Sequence, residues 1–181
     1  MPVPEVDAVQ LPAGLTARPP TGADHARVGS AVRRWWGDLG GAAGVEQRAA
    51  LLPRLFFDHF ADTSTVVEDA DGELVAFLVG FLSSSQPGTA YVHFVGVDPA
   101  ARGRGIARAL YARFAALATG RGADTVRCIT GPDNRTSIAF HTAMGFAMEP
   151  GDTLVDGVPV HLDHDGPGLD RVCFVRSLTP G

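Results

Sequence analysis

The sequence predicts a mixed-sheet domain of the α/β or α+β class. Three observations carry that expectation. A hairpin signal comes first: the apolar runs Thr65–Asp69 and Glu73–Ser83 flank Ala70-Asp71-Gly72. The strand-like run Tyr91–Val97 then passes through a glycine-rich turn into a helical repeat at Ile106, Leu110, Phe114 and Leu117. A further strand, Thr125–Thr130, follows that helix. An antiparallel meander therefore precedes a β-α-β unit.

The remaining elements follow in order. Leu15–Arg18 is a short first strand. Asp24 is the expected cap of a helix through Trp36, and Val45–Phe60 reads as a second helix; Gly37, Gly40, Gly41 and Gly44 separate the two. The turn Ser-Ser-Gln-Pro-Gly-Thr ends the meander's second strand. Asn134–Met144 is a short helix with Gly145 in the C′ position. Phe146–Pro150 and Arg171–Leu178 are the last strands, joined by an aspartate-rich loop.

A chain of 181 residues is long enough to bury one core. The expected organisation is a loose proline-rich tail over 1–14 and a single domain over 15–181. The tail carries neither a basic nor an apolar leader pattern. No apolar run approaches the ~18 residues of a bilayer span, so no membrane partner is expected. A net charge of −5 argues against a nucleic-acid partner. Cys128 and Cys173 sit in apolar strand-like runs, which suits two buried free thiols in a reducing, cytoplasmic setting. All 15 basic residues are arginine, and Asn134 is the one asparagine, a usage that suggests a GC-rich coding bias.

The stretch Arg102-Gly103-Arg104-Gly105-Ile106-Ala107 asks for a ligand. The first amides of a helix lack internal partners and favour anions. Glycines let the backbone come close to a ligand and take positive φ. A phosphate or pyrophosphate suits such a turn. The pattern is neither a P-loop nor a dinucleotide fingerprint. The plain alternative is a tight β-α turn with solvated arginines.

Together with its surroundings, the stretch resembles the GNAT superfamily of acyl-CoA N-acyltransferases. The family motif R/Q-x-x-G-x-G/A appears here as Arg102-x-x-Gly105-x-Ala107, after an apolar strand and Asp98-Pro99. Downstream come the strand Val126–Thr130, Asn134, and Met144-Gly145-Phe146. The resemblance covers roughly residues 65–150. It implies a mostly antiparallel mixed sheet of 6–7 strands with about four helices, and strands 4 and 5 splayed apart. It implies acetyl-CoA as co-substrate, with its pyrophosphate on the backbone amides of Arg102, Gly103, Arg104, Gly105, Ile106 and Ala107. Pantetheine would pair with the strand edge at Phe94, Val95 and Val97, one of whose amides also polarises the thioester carbonyl. The reaction implied is direct acetyl transfer to an amine, small-molecule or protein, in a ternary complex. Homodimers are common in the family. The rival is a non-catalytic acyl-CoA-binding module.

Candidate side chains can be weighed one by one. Asn134, Ser137 and His141 share a helix face at i, i+3, i+7. Asn134 suits a helix N-cap, and the resemblance adds a contact with pantetheine or phosphate for Asn134 and Ser137. At His141 the family often has tyrosine, which protonates the leaving thiolate. The only tyrosines here, Tyr91 and Tyr111, lie elsewhere. Either His141 is the acid, or the acid is dispensable, or the site is degenerate. A protonated amine cannot attack, so a base is needed. His93 shares a strand face with Val95 and Val97 and is the first candidate; Glu68 and His59 are weaker ones.

The loop 152–170 holds Asp152, Asp156, Asp163, Asp165 and Asp170 with His161 and His164. It reads as turn chemistry, as an acidic wall for a cationic amine, or as a metal site through His161, Asp163 and His164. No defined ligand spacing supports the last, and no metal is expected.

Overall fold

The computed structural model describes residues 10–37 and 41–179. Of the expected tail, residues 1–9 lie outside the described residues, as does the separator Gly40. Contacts divide the chain into two compact units. One runs from residue 10 to Phe81 and resumes over Val92–Gly120; the other joins Leu82–Tyr91 to the chain after Gly120.

In the first unit β1 (Thr16–Arg18) pairs antiparallel with β2 (Thr65–Glu68), and β2 with β3 (Leu74–Leu82). β3 is buried without interruption from Leu74 to Gly80, so its apolar run is continuous rather than alternating. The helix α1 (Asp24–Trp35) turns Val28, Ala31, Val32 and Trp35 onto a core that includes Phe57, Val66, Phe77 and Val79. The expected helix over 45–60 is two helices, α2 (Gly41–Ala50) and α3 (Leu55–His59). Pro53 lies between them; it has no N–H to donate and its ring obstructs the preceding turn. The apolar spacing runs on because Leu52, inside the break, is itself a core residue.

Asp24 is the first residue of α1, not its cap; Ala23 holds that place with no side-chain bond. The Asp24 carboxylate accepts the Thr21 N–H at 2.8 Å and lies 2.8 Å from Arg18 and 3.0 Å from Arg27. Both arginines also reach Glu68, at 2.7 and 2.6 Å. The Arg18 guanidinium holds the buried Asp24 carboxyl well below the usual carboxylate range.

The second unit holds the first part of β4 (Thr89–Val97), entered from β3 through a turn that the Ser83 N–H closes on the Thr89 carbonyl at 2.8 Å. Thr89–Tyr91 form a three-pair parallel ladder with Thr125–Arg127 of β5 (Thr125–Thr130). After β5 come α5 (Arg135–Ala143), β6 (Ala147–Met148), a hairpin of β7 (Thr153–Val155) with β8 (Val158–Val160), and β9 (Val172–Ser177). β9 pairs antiparallel with β5 over six positions and with β6 on its other edge. Hydrogen bonding orders the main sheet β1-β2-β3-β4-β5-β9-β6. The sheet is thus mixed and mostly antiparallel, as expected. The sequence predicts a loop where the β7–β8 hairpin stands; its turn residues Asp156 and Gly157 both take positive φ, 50° and 79°, as a two-residue hairpin of this hand requires. Cys128 and Cys173 are free and buried. Among the described residues no helix is long and apolar enough to cross a membrane.

Candidate active site

In the first unit β4 ends in a built turn. Its last half carries the expected strand-edge residues Phe94, Val95 and Val97, all partly buried. The Asp98 amide donates to the Val75 carbonyl at 2.9 Å, and its side chain accepts the Ala100 N–H at 2.9 Å. Pro99–Ala101 form one 3-10 turn, with proline at the start where its missing N–H costs nothing. Arg102 leaves that turn extended and folds back, its Nε donating to the Val97 carbonyl at 3.3 Å.

Gly103 and Gly105 then take φ of 76° and 79°, a region that strains any residue with a Cβ. No atom lies within 4 Å of where a Cβ would stand at either one. Crowding does not demand glycine here; the backbone turn does, and the space above it is open. The helix α4 (Ile106–Gly120) starts at once, burying Ile106 and leaving Ala107 half-buried. Its first turn contains no acidic residue, and Arg102, Arg104 and Arg108 are exposed around it. The turn therefore offers backbone amides, positive charge and room, the donor set an anionic phosphate needs.

A packing feature the sequence reading passed over fixes this strand. Gly96 is buried, and a Cβ there would stand 2.6 Å from Phe77 Cε1 and 2.8 Å from Trp36 Cη2. Phe94 stacks on Phe77 at 5.7 Å and meets Trp36 edge-on at 5.7 Å. A glycine inside an apolar strand signals such close approach. On the alternate positions His93 stacks on Phe56 at 4.4 Å, and its Nε2 lies 2.6 Å from the Leu51 carbonyl. A carbonyl only accepts, so Nε2 carries the hydrogen, and in the neutral ring Nδ1 carries the lone pair. Glu68 is held by Arg18 and Arg27, which keep its carboxyl below the usual range, so it is a poor base. His59 sits exposed at the end of α3.

The second unit carries the other expected residues. Asn134 is the N-cap of α5, its Oδ1 accepting the Ser137 N–H at 3.1 Å. His141 lies on the same helix but is only 4% exposed. Its ring stacks on Phe174 at 5.0 Å and meets Phe140 and Phe146 edge-on. Nδ1 donates to the Ser137 carbonyl at 2.8 Å, with Ser137 Oγ 3.2 Å away. In the neutral ring Nε2 then has no proton to give. Only the imidazolium has one, and burial pushes the His141 pKa down. The packing therefore works against the acid role.

In the aspartate-rich segment two of the five carboxylates are ion-paired, Asp156 with Arg135 at 2.6 Å and Asp165 with Arg171 at 2.7 Å. Asp152, Asp163 and Asp170 accept the amides of Leu162, Gly168 and Asp163. These last are the bonds of turn chemistry, made by carboxylates that keep their charge.

Comparison with known proteins agrees with the geometry. The family described as "Acetyltransferase (GNAT) family" matches residues 31–146. The L-2,4-diaminobutyric acid acetyltransferase of Streptomyces coelicolor is 38% identical over 131 residues, 70% of this chain and 76% of that protein. The mycothiol acetyltransferase of Rhodococcus erythropolis is 30% identical over 155 residues, 79% of this chain but 50% of that protein. The chain spans about half the length of several curated relatives it matches. A solved diaminobutyrate acetyltransferase from Paenibacillus lautus, in complex with its substrate and coenzyme A, shares the fold at a TM-score of 0.65 and 21% identity, over 92% of this chain and 97% of that one. With the family matched across more than half its length, around a glycine turn of the required form, the chain belongs to the GNAT acetyltransferase family.

Proposed function

We propose that this chain is an N-acetyltransferase that moves an acetyl group from acetyl-CoA directly onto an amine. The observation that carries the reading is the open, cationic turn at Gly103 and Gly105, set between β4 and the start of α4. In this reading the amides of Gly103, Arg104, Gly105, Ile106 and Ala107 hold the pyrophosphate of CoA, while the Arg102 N–H is already given to the Pro99 carbonyl at 3.4 Å. The backbone of Phe94, Val95 and Val97 pairs with pantetheine, and Asn134 and Ser137 contact the same arm.

The amine nitrogen forms the new C–N bond as the C–S bond breaks, CoA leaves as thiolate, and the second proton that the nitrogen sheds as the amide forms passes to that thiolate or to solvent. His93 accepts the ammonium proton at Nδ1, directly or through one water, while Leu51 fixes its tautomer. A thiol pKa of about 8.5 makes the thiolate a tolerable leaving group, so no protein acid is required. His141 then serves as a neutral packing and positioning group under α5.

The acceptor in this reading is a small-molecule amine, the class named for the diaminobutyrate relatives. The domain bounds 15–181, a homodimer and a cytoplasmic setting belong to the same proposal. Acetyl-CoA turnover against a panel of amines and amine-bearing peptides, followed as thiol release, tests it. Diaminobutyrate belongs in the panel. Turnover with a small amine supports the reading. Turnover with peptides alone moves the acceptor class. Tight CoA binding without turnover of any amine marks a non-catalytic module. His93→Ala should lower the rate by about 10²–10⁴.

A further inference from the structure

The second unit brings together three side chains that the acetyl-transfer reading does not use. One ring nitrogen each from His161 and His164, and the Sγ of Cys173, lie within 4.8 Å of one another. Both nitrogens of His164 are 4.0 Å from the sulfur, and the two imidazoles meet edge-on with 5.7 Å between centroids. Cys173 is 6% exposed, on β9. The Nε2 of His161 is buried with no hydrogen-bond partner among the described residues. A buried imidazole nitrogen left unpaired is uncommon and calls for an explanation. Asp163, which the sequence offers with His161 and His164 only as a disfavoured alternative, is not in the group; its carboxylate accepts the Gly168 amide.

We propose that His161, His164 and Cys173 form a binding site for one borderline-soft divalent metal ion, zinc above all. Two imidazoles and a thiolate are the donors such an ion selects, whereas magnesium and calcium take oxygen. Bond lengths of about 2.0–2.1 Å to nitrogen and 2.3 Å to sulfur put tetrahedral ligand atoms roughly 3.3–3.6 Å apart. The 4.0 Å from sulfur to His164 lies about 0.4 Å outside that range and the group as a whole spans up to 4.8 Å, so side-chain rotations must draw the three ligand atoms together on binding.

The loop holds the geometry in advance. His161 and Arg171 exchange two backbone hydrogen bonds of 2.8 and 2.9 Å at its neck. Within it, the amides of Asp165, Gly166 and Leu169 donate to the carbonyls of Leu169, Asp163 and Gly166, fixing the segment that carries His164. His164 and Cys173 also line a cavity of about 120 Å³ shared with Tyr91, Arg127, Cys128 and Glu149, which has room for a water as fourth ligand. Glu149 and Asp165 lie near the sulfur, each already paired with an arginine, Arg127 at 2.6 Å and Arg171 at 2.7 Å, so the donor atoms rather than net charge recommend the site. On binding, the Cys173 thiol proton is released to solvent as the S–metal bond forms. The site clips the aspartate-rich loop to β9.

The test is metal binding by the full chain after chelator treatment. Cobalt(II) titration should give the visible bands of a tetrahedral site and a sulfur-to-metal charge-transfer band, both saturating at one equivalent and both displaced by zinc. Cys173→Ser should remove the charge-transfer band, and Cys128→Ser should retain it. His164→Ala, at an exposed position, should weaken zinc by at least about 100-fold in chelator competition, since loss of an outer-shell partner alone costs about 10–100-fold. Zinc should raise the melting temperature of the parent chain and not that of His164→Ala. No stoichiometric binding, a charge-transfer band that survives Cys173→Ser, or undiminished affinity in His164→Ala would overturn the proposal. A folded His164→Ala chain is verified by its unchanged circular dichroism.

Discussion

Replacing Gly96 by alanine tests how β4 is held. Carbon atoms rest about 3.5–4.0 Å apart, and the new Cβ would stand 2.6 and 2.9 Å from two carbons of Phe77 and 2.8 Å from one of Trp36. The shortfall is about 1 Å. Phe77 is fully buried and stacked between Trp35 at 6.0 Å and Phe94 at 5.7 Å, so it cannot swing aside. Either the aromatic stack or the strand must move. Overpacking of this kind costs about 1–3 kcal/mol. At about 2–4 °C per kcal/mol for a chain of this size, the melting temperature should fall by about 2–12 °C. A strand displaced by about 1 Å under the thioester should also lower turnover by about 100-fold. Gly103→Ala is the control for melting alone, since the turn belongs to the proposed CoA site: its new methyl meets nothing, so the positive φ costs about 1–2 kcal/mol with no packing loss. Calorimetric melting and thiol release read both effects. A Gly96→Ala chain that melts and turns over like its parent would refute the idea that aromatic packing sets the strand.

Asn134→Ala should destabilise by about 1 kcal/mol through loss of the cap, whereas Asn134→Asp should keep the cap and lose only the amide donor. Equal CoA affinity for Asn134→Asp and the parent would reduce Asn134 to capping alone. Burial lowers the native pKa of His141 below its unfolded value near 6.5, so the native state binds its proton less readily. The stability this contributes is present above about pH 6.5 and is lost as pH falls through the range below it. His141→Phe should therefore lessen the decline of the melting temperature from pH 7 to 5; an unchanged decline would remove His141 as its source. Asp24→Asn should cost about 3 kcal/mol, the low end for breaking a buried pair, because Arg18 and Arg27 reach solvent. In the parent, the depressed Asp24 pKa adds stability that is lost only as pH falls below about 4. A neutral effect at pH 7 would mean that the arginines repack without it.

The sequence carries the meander, the β4–turn–α4 passage and the capped α5 because each rests on local chemistry: the Ala70-Asp71-Gly72 turn, Asp98-Pro99, paired glycines, an N-cap. It misleads where a local pattern is overridden. Leu51, Leu52, Leu55, Phe56 and Phe57 keep helical spacing through Pro53, so the break is visible only in the proline itself. Asp24 looks like a cap by residue type and place, but its carboxylate is taken by Arg18, Arg27 and the Thr21 N–H, and both arginines are held in turn by Glu68, 50 and 41 residues away from them. The β7–β8 turn had its signal in Asp156-Gly157, hidden among other aspartates. Cys173 joins His161 and His164 only through the strand return after the loop, which ligand spacing along the chain does not report.

Calorimetric titration of CoA into the parent chain and into Gly105→Glu tests the central claim most directly. Residue 105 has a φ of 79° and open space around it. Glutamate there strains the turn and sets bulk and negative charge where the pyrophosphate would lie. The account predicts saturable binding to the parent at one CoA per chain and none to the folded variant. Undiminished affinity in Gly105→Glu would contradict it, because the phosphates would then be bound somewhere other than the glycine turn.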